Sequence, residues 1–201
     1  VIQCFFLEET GRAQIYLRRY HGSMPGPLCP SSGIGYHNAK FYLEDRPVKY
    51  SDWPHEIPNC YQGIQEQPLD DPRWPTHCAC GYAFTGEDLK QVFQESILRR
   101  TDTGEETTWR AAPPGAMRDA CWYRTDWAGA DGRSLVVKCP DNTDWLIDGP
   151  SYHDGKRTHE HPWTRTGTPP IISVTPSIAT PGYHGFLGSN GAPPGYFTGP
   201  L

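Results

Sequence analysis

Proline and glycine break this chain at close intervals along its whole length, and that punctuation decides what it can fold into. With 21 Gly and 21 Pro they fill 42 of 201 positions, close to but short of the share found in low-complexity chains. They are interleaved with Trp, Val and Ile rather than clustered. Proline removes a backbone donor and fixes φ, and glycine gives up conformational entropy, so long helices are disfavoured and short strands between turns are favoured. Apolar residues make up only 36% of the chain, yet it holds 7 Trp, 11 Tyr and 7 Phe. Burial therefore has to come from a few large rings.

A coarse segmentation follows. Two strand-like runs, Ile2 to Leu7 and Ala13 to Tyr20, flank the turn signal Glu9-Thr10-Gly11-Arg12 and predict an N-terminal hairpin. The stretch from His21 to Ser32 holds no regular element, and Ala39 to Leu43 offers a short strand. Residues 47–75 read as Pro-, Asp- and Trp-rich coil, long enough that something else must order it. Thr85 is the best helix cap and predicts a short helix from Gly86 to Gln91. Val92 to Arg100, the turn Thr101 to Glu105 and Thr107 to Arg110 predict a second hairpin. Further short strands are expected at Ala120–Tyr123, Ser134–Cys139, Trp145–Asp148, Ile171–Thr175 and Tyr183–Leu187. The expected fold is mainly β: an antiparallel, loop-rich sandwich or partly open barrel with one short helix and a zinc knuckle. One domain is expected over 1–201, two small ones being the alternative, with a hairpin region at 1–46, coil at 47–75, a zinc-stapled β core at 76–191 and a tail at 192–201 that is mobile unless it docks on a partner.

The net charge of -5 and the absence of basic runs longer than the pairs Arg18-Arg19 and Arg99-Arg100 argue against a nucleic-acid partner. No stretch approaches the roughly 20 apolar residues of a membrane-spanning helix, and the first nine residues lack the basic flank of a signal peptide. Neither membrane nor secretion is expected. Seven cysteines cannot all pair within the chain. With a reducing cytosol as the default site of synthesis, metal binding outranks disulfides for the closely spaced pair.

That pair lies in Pro75-Thr76-His77-Cys78-Ala79-Cys80-Gly81-Tyr82-Ala83-Phe84. Two thiolates presented from a tight turn, with Gly relieving the backbone after the second, make a metal knuckle, and zinc favours such ligands. The spacing is Cys-x-Cys rather than the usual Cys-x2-Cys, and His77 is a reserve ligand with Cys80. A closed site needs two more ligands. The His-rich segment Tyr152 to His161 supplies candidates in His153, His159 and His161, and Cys60 is held in reserve. Zn2+ is the expected cofactor, in a structural role. Glu160 or Asp154 could serve a hydrolytic centre as base, but no HExxH motif, phosphate loop or nucleophile elbow is present. Enzymatic activity is not expected.

From about Trp74 to Gly191 the chain resembles an uncharacterised family of proteins encoded by tailed bacteriophages of GC-rich hosts. The matching pieces are Trp74 to Phe84, Arg100 to Glu105, Ala112 to Met117, Gly132 to Leu135, Asp144 to Pro150, Pro176-Ser177-Ile178 and Tyr183 to Leu187. Family members look as though they carry a Cys-x2-Cys knuckle with further cysteines in the loop before the Trp at 163. The resemblance therefore implies His153 and His161 as the ligands beside Cys78 and Cys80. It implies no known activity. The expected role is a virion protein, synthesised in the host cytoplasm, that binds other phage virion proteins as a minor capsid or tail component. The alternatives are an early protein that binds a host factor and a metal-dependent hydrolase.

Overall fold

In the computed structural model the described residues are 1–21, 29–31, 36–52, 59–123, 128–153 and 156–199, with backbone alone over 150–162. The fold is mainly β, with antiparallel and mixed sheets, no closed barrel and no helix among the described residues. In chain order the strands are β1 (Ile2–Gln3), β2 (Phe5–Tyr20), β3 (Asn38–Tyr42), β4 (Arg46–Pro47), β5 (Leu89–Arg100), β6 (Glu106–Thr108), β7 (Ala116–Asp119) and β8 (Leu135–Lys138). They continue with β9 (Asp144–Leu146), β10 (Pro150–His153), β11 (Lys156–Pro162), β12 (Thr164–Thr168), β13 (Ile171–Thr175), β14 (Ile178–Ala179), β15 (His184–Leu187) and β16 (Tyr196–Thr198).

The chain falls into two compact units, one formed by Val1–Thr10 with Leu98–Leu201 and the other by Gly11–Ile97. The contacts thus divide it elsewhere than the sequence segments do. In the first unit β7, β8 and β9 form an antiparallel meander, and the start of β2 pairs in parallel with β7 through Phe5↔Ala116 and Phe6↔Met117. A second sheet runs β1-β16-β15-β14. Inward-facing Phe6, Met117, Leu135, Val137, Ile147, Ile172, Val174, Leu187 and Phe197 make one apolar cluster, each large side chain contributing about 1.5–3 kcal/mol on burial. A buried ion pair sits beside it. Arg165 Nε donates to Asp148 Oδ1 at 2.9 Å, and the other Asp148 oxygen accepts the Leu135 N–H at 2.9 Å. Within the tail, Tyr196–Thr198 dock on the chain itself, with β16 paired to β1 through Ile2↔Phe197 and to β15 through Leu187↔Phe197.

In the second unit the rest of β2 pairs with β3 from Tyr16↔Tyr42 to Tyr20↔Asn38, with β4 through Arg12↔Pro47, and neighbours β5. The predicted N-terminal hairpin does not form. Gly11 takes φ +75°, but the chain runs on as a single 16-residue strand because its partners come from β3 and β4, not from its own first half. The predicted helix at Gly86–Gln91 is also absent. Asp88 turns its carboxylate back on the Thr85 N–H (2.5 Å), and the Asp88 N–H donates to Thr85 O (3.2 Å), so the capping pattern closes as a turn and β5 starts at Leu89. The described residues of the 47–75 stretch are tied down by side-chain donors. Gln94 Nε2 donates to Lys49 O (2.5 Å) and Gly63 O (2.7 Å), Gln62 Nε2 donates to Ser96 Oγ (2.8 Å), and the Trp74 indole N–H donates to Pro68 O (2.8 Å). They add to a backbone bridge between Tyr50 and Gln62, in which Gly63 N–H donates to Lys49 O and Ser51 N–H to Tyr61 O, each at 2.8 Å.

Candidate metal centre

The segment Thr76–Phe84 folds back on itself as a small hairpin. Phe84 N–H donates to Thr76 O, Cys78 N–H to Tyr82 O and Gly81 N–H to Cys78 O, each at 2.9 Å, with His77 bridged to Ala83 between them. The last of these bonds closes the turn Cys78-Ala79-Cys80-Gly81, in which Gly81 holds φ +92°, a conformation that costs other residues about 1–2 kcal/mol. Arg19 of β2 anchors the base of the hairpin by donating to Pro75 O and Thr85 O, with its guanidinium over the Phe84 ring.

The other half of the centre comes from the connection between β2 and β3. That connection is closed by the His21 N–H donating to His37 O at 3.1 Å, and it carries Cys29 and His37. The ligand atoms of Cys29, His37, Cys78 and Cys80 all lie within 4.8 Å of one another, and the cluster could hold a metal ion. The Cys29 and Cys78 sulfurs are 3.6 Å apart, and His37 Nδ1 is 3.2 Å from the Cys80 sulfur. Tetrahedral coordination, with sulfur at about 2.3 Å and nitrogen at about 2.0 Å from the ion, separates the donors by roughly 3.5–3.8 Å. The observed spacing is close to that, so three thiols and one imidazole fit a four-coordinate site.

The surroundings favour the ligand form at Cys78 and oppose it at Cys80 and His37. Burial pushes the Cys78 thiol up, but hydrogen bonds from the backbone at Cys80 and Asn38 and from Ser31 outweigh it and set it below its ordinary value. At Cys80 the backbone of Tyr82 favours the thiolate, while burial and the neighbouring sulfurs of Cys29 and Cys78 leave the thiol raised. Burial also works against a charged His37, yet hydrogen bonds and charge from Cys78 and Cys29 raise its pKa. Like-charged thiolates repel one another until a cation sits between them. The Tyr82 ring lies flat on His37, centroids 4.0 Å apart and planes 3° apart, which fixes the imidazole plane. Cys29 and Cys78 are 2% and 4% exposed, and Cys80 and His37 are half-buried. Four protein ligands fill a tetrahedron, which is the arrangement of a structural rather than a catalytic ion.

The structure brings the predicted Cys78 and Cys80 together. His77 is exposed, its Nδ1 3.1 Å from Thr76 Oγ1, and it stands outside the cluster. Cys60 is disulfide-bonded, as is Cys121, so the reserve thiol is spent and the preference for reduced cysteines does not extend to these two. The segment carrying His153, His159 and His161 is not a loop: its backbone forms the β10–β11 hairpin, with Tyr152↔Arg157 and His153↔Lys156 paired. The side chains of these three histidines lie outside the described residues. Cys29 and His37 were missed. Their signal was a cysteine held between prolines in a stretch with no regular structure, followed by a histidine just before a strand. The remaining free cysteines, Cys4 and Cys139, are buried in the apolar cluster of the first unit, and burial pushes each thiol up to about 12. Such thiols are inert.

Comparison with family models, with curated proteins and with solved structures finds no match, and the reading of this centre rests on its own geometry.

Proposed function

We propose that this chain is a zinc-stapled structural and interaction protein. One Zn2+ would be held by Cys29, His37, Cys78 and Cys80 and would fasten the β2–β3 connection to the Thr76–Phe84 hairpin. The observation that carries the proposal is the convergence of four donor atoms, from segments far apart in sequence, within 4.8 Å. Zinc suits a sulfur-rich tetrahedral set because it imposes no geometry of its own and undergoes no redox change that would loosen the staple. No carboxylate belongs to the cluster, so the hydrolase alternative draws no support from it. The resemblance to tailed-phage proteins supports a place in the virion as a minor capsid or tail component. The early, host-factor-binding role is its competitor.

Two measurements test this. Metal analysis with native mass spectrometry of the purified protein is expected to find one zinc per chain; iron, or no metal in protein kept reduced, overturns the zinc assignment. Peptide mass spectrometry of purified particles is expected to find the chain in virions. Its absence there overturns the virion assignment and leaves the zinc assignment standing.

A further inference from the structure

The sheet β3-β2-β5 in the Gly11–Ile97 unit has two unlike faces. Ile15 and Leu17 are fully buried on one of them. The other face carries the alternate residues of each strand, and its content is unusual for a chain of net charge -5. The register places Tyr42 beside Tyr16, and Phe93 of β5 stacks on Tyr16 with ring planes 6° apart and centroids 5.2 Å apart. The next pair is Lys40 beside Arg18, with Lys40 Nζ 4.8 Å from the Tyr16 ring centre and the Arg18 guanidinium 5.6 Å from that of Phe93. Then comes Asn38 beside Tyr20, whose ring the same guanidinium covers at 4.7 Å while Arg18 Nε donates to Asn38 Oδ1 at 2.9 Å. Rings and cations thus alternate across the strands, and Tyr42 (53% exposed) and Lys40 present theirs to solvent. Glu95 lies two residues beyond Phe93 on β5, and Glu44, two residues beyond Tyr42, is paired with Arg46.

We infer that this face is a binding platform for single-stranded nucleic acid, with a base stacking on the exposed Tyr42 ring, beside the buried Tyr16, and phosphates meeting Lys40 and Arg18. Flat rings accept any base, and cations held beside them at fixed spacing match a polyanion whose bases are unpaired. A duplex hides its base faces and offers phosphates alone, so the platform discriminates in favour of single strands. Sequence reading pointed away from nucleic acid because it looked for runs of basic residues. Here Arg18 and Lys40 are 22 positions apart in sequence and adjacent only in the sheet. The inference is independent of the metal assignment.

Fluorescence anisotropy with a labelled oligothymidylate and with a duplex of the same length tests it on the full chain. Binding is expected to the single strand, more weakly to the duplex, and to fall with salt. Tyr42→Ala is expected to weaken it by roughly 5- to 150-fold, the span for one base stacked on a ring. Lys40→Ala is expected to reduce the slope of log affinity against log salt by about 0.7. Ile171→Ala, exposed and in the other unit, is expected to change nothing, and unchanged metal content in each variant reports an intact unit. Absence of binding at low salt overturns the inference. Affinity untouched by Tyr42→Ala overturns it as well, as does competition by heparin equal to that by oligothymidylate.

Discussion

In the unit formed by Val1–Thr10 and Leu98–Leu201, Phe6, Leu135, Ile147, Ile172, Leu187 and Phe197 pack into one contiguous apolar cluster. The cluster beside the knuckle in the Gly11–Ile97 unit consists of Cys29, Cys78 and Phe84, with Ala39, Cys80 and Tyr82 against it. The second unit also buries Ile15, Leu17 and Trp74, but only there do three sulfurs and an imidazole gather at one point. A structural ion bound at the proposed centre would add to the folding energy of this unit: binding to a zinc finger contributes about 10–16 kcal/mol. The difference teaches that one chain can divide its stabilisation between two kinds of chemistry, each with its own points of failure.

The sharpest way to break the comparison is to remove one sulfur. Cys78→Ser is expected to abolish stoichiometric zinc, and limited proteolysis read by mass spectrometry should then show cleavage confined to residues 11–97. Cleavage spread evenly over the chain would mean that the units do not differ as described. The reciprocal change, Phe197→Ala, empties a site that is 1% exposed and is expected to cost about 3–5 kcal/mol. Thermal unfolding should show the loss with zinc retained up to the transition.

Acid separates the two chemistries more gently. Asp141 is penalised by burial, but hydrogen bonds from Thr180, Thr143 and Gly182 outweigh this and hold its carboxyl below the ordinary 3.8. Its contribution to stability is fully present above that value and is lost as pH falls through the lower folded pKa. Thiolates and imidazole must shed protons to bind metal, so acid competes for the centre at higher pH. A pH titration is expected to release zinc, followed with a chromogenic chelator, before near-ultraviolet dichroism of the first unit changes. Asp141→Asn should weaken that unit above the carboxyl pKa and leave the zinc-release curve in place. The smallest expected effect is that of Gly81→Ala, about 1–2 kcal/mol from the φ of +92°. It should appear as a lower zinc affinity in a competition assay with little change in the first unit.

What could be read from the sequence was local. The Cys78-Ala79-Cys80-Gly81 turn was legible because turn and ligands occupy a few adjacent residues, and so were the hairpin turn after Arg100 and the strand Ile171–Thr175. Partners chosen over distance were not legible. Gly11 looked like the tip of a hairpin, and only the approach of β3 and β4 keeps β2 straight through it. Thr85 looked like a helix cap, but Asp88 also pairs with His21, 2.8 Å away, and that tie favours the turn. Cys29 and His37 lie in a stretch whose sequence carries no periodic pattern. They meet Cys78 and Cys80 across 49 and 43 positions, a distance that no local pattern encodes.

The pairing of Ile2 with Phe197 brings the outermost described strands side by side, about 4.8 Å apart as neighbouring strands lie. A short Gly-Ser link from residue 199 to residue 1 would therefore span almost no distance. New ends could be opened in the exposed turn at Thr101–Gly104, and such a circular permutant would keep the strand pairings while moving the point of fusion from the β1–β16 pair to the turn between β5 and β6.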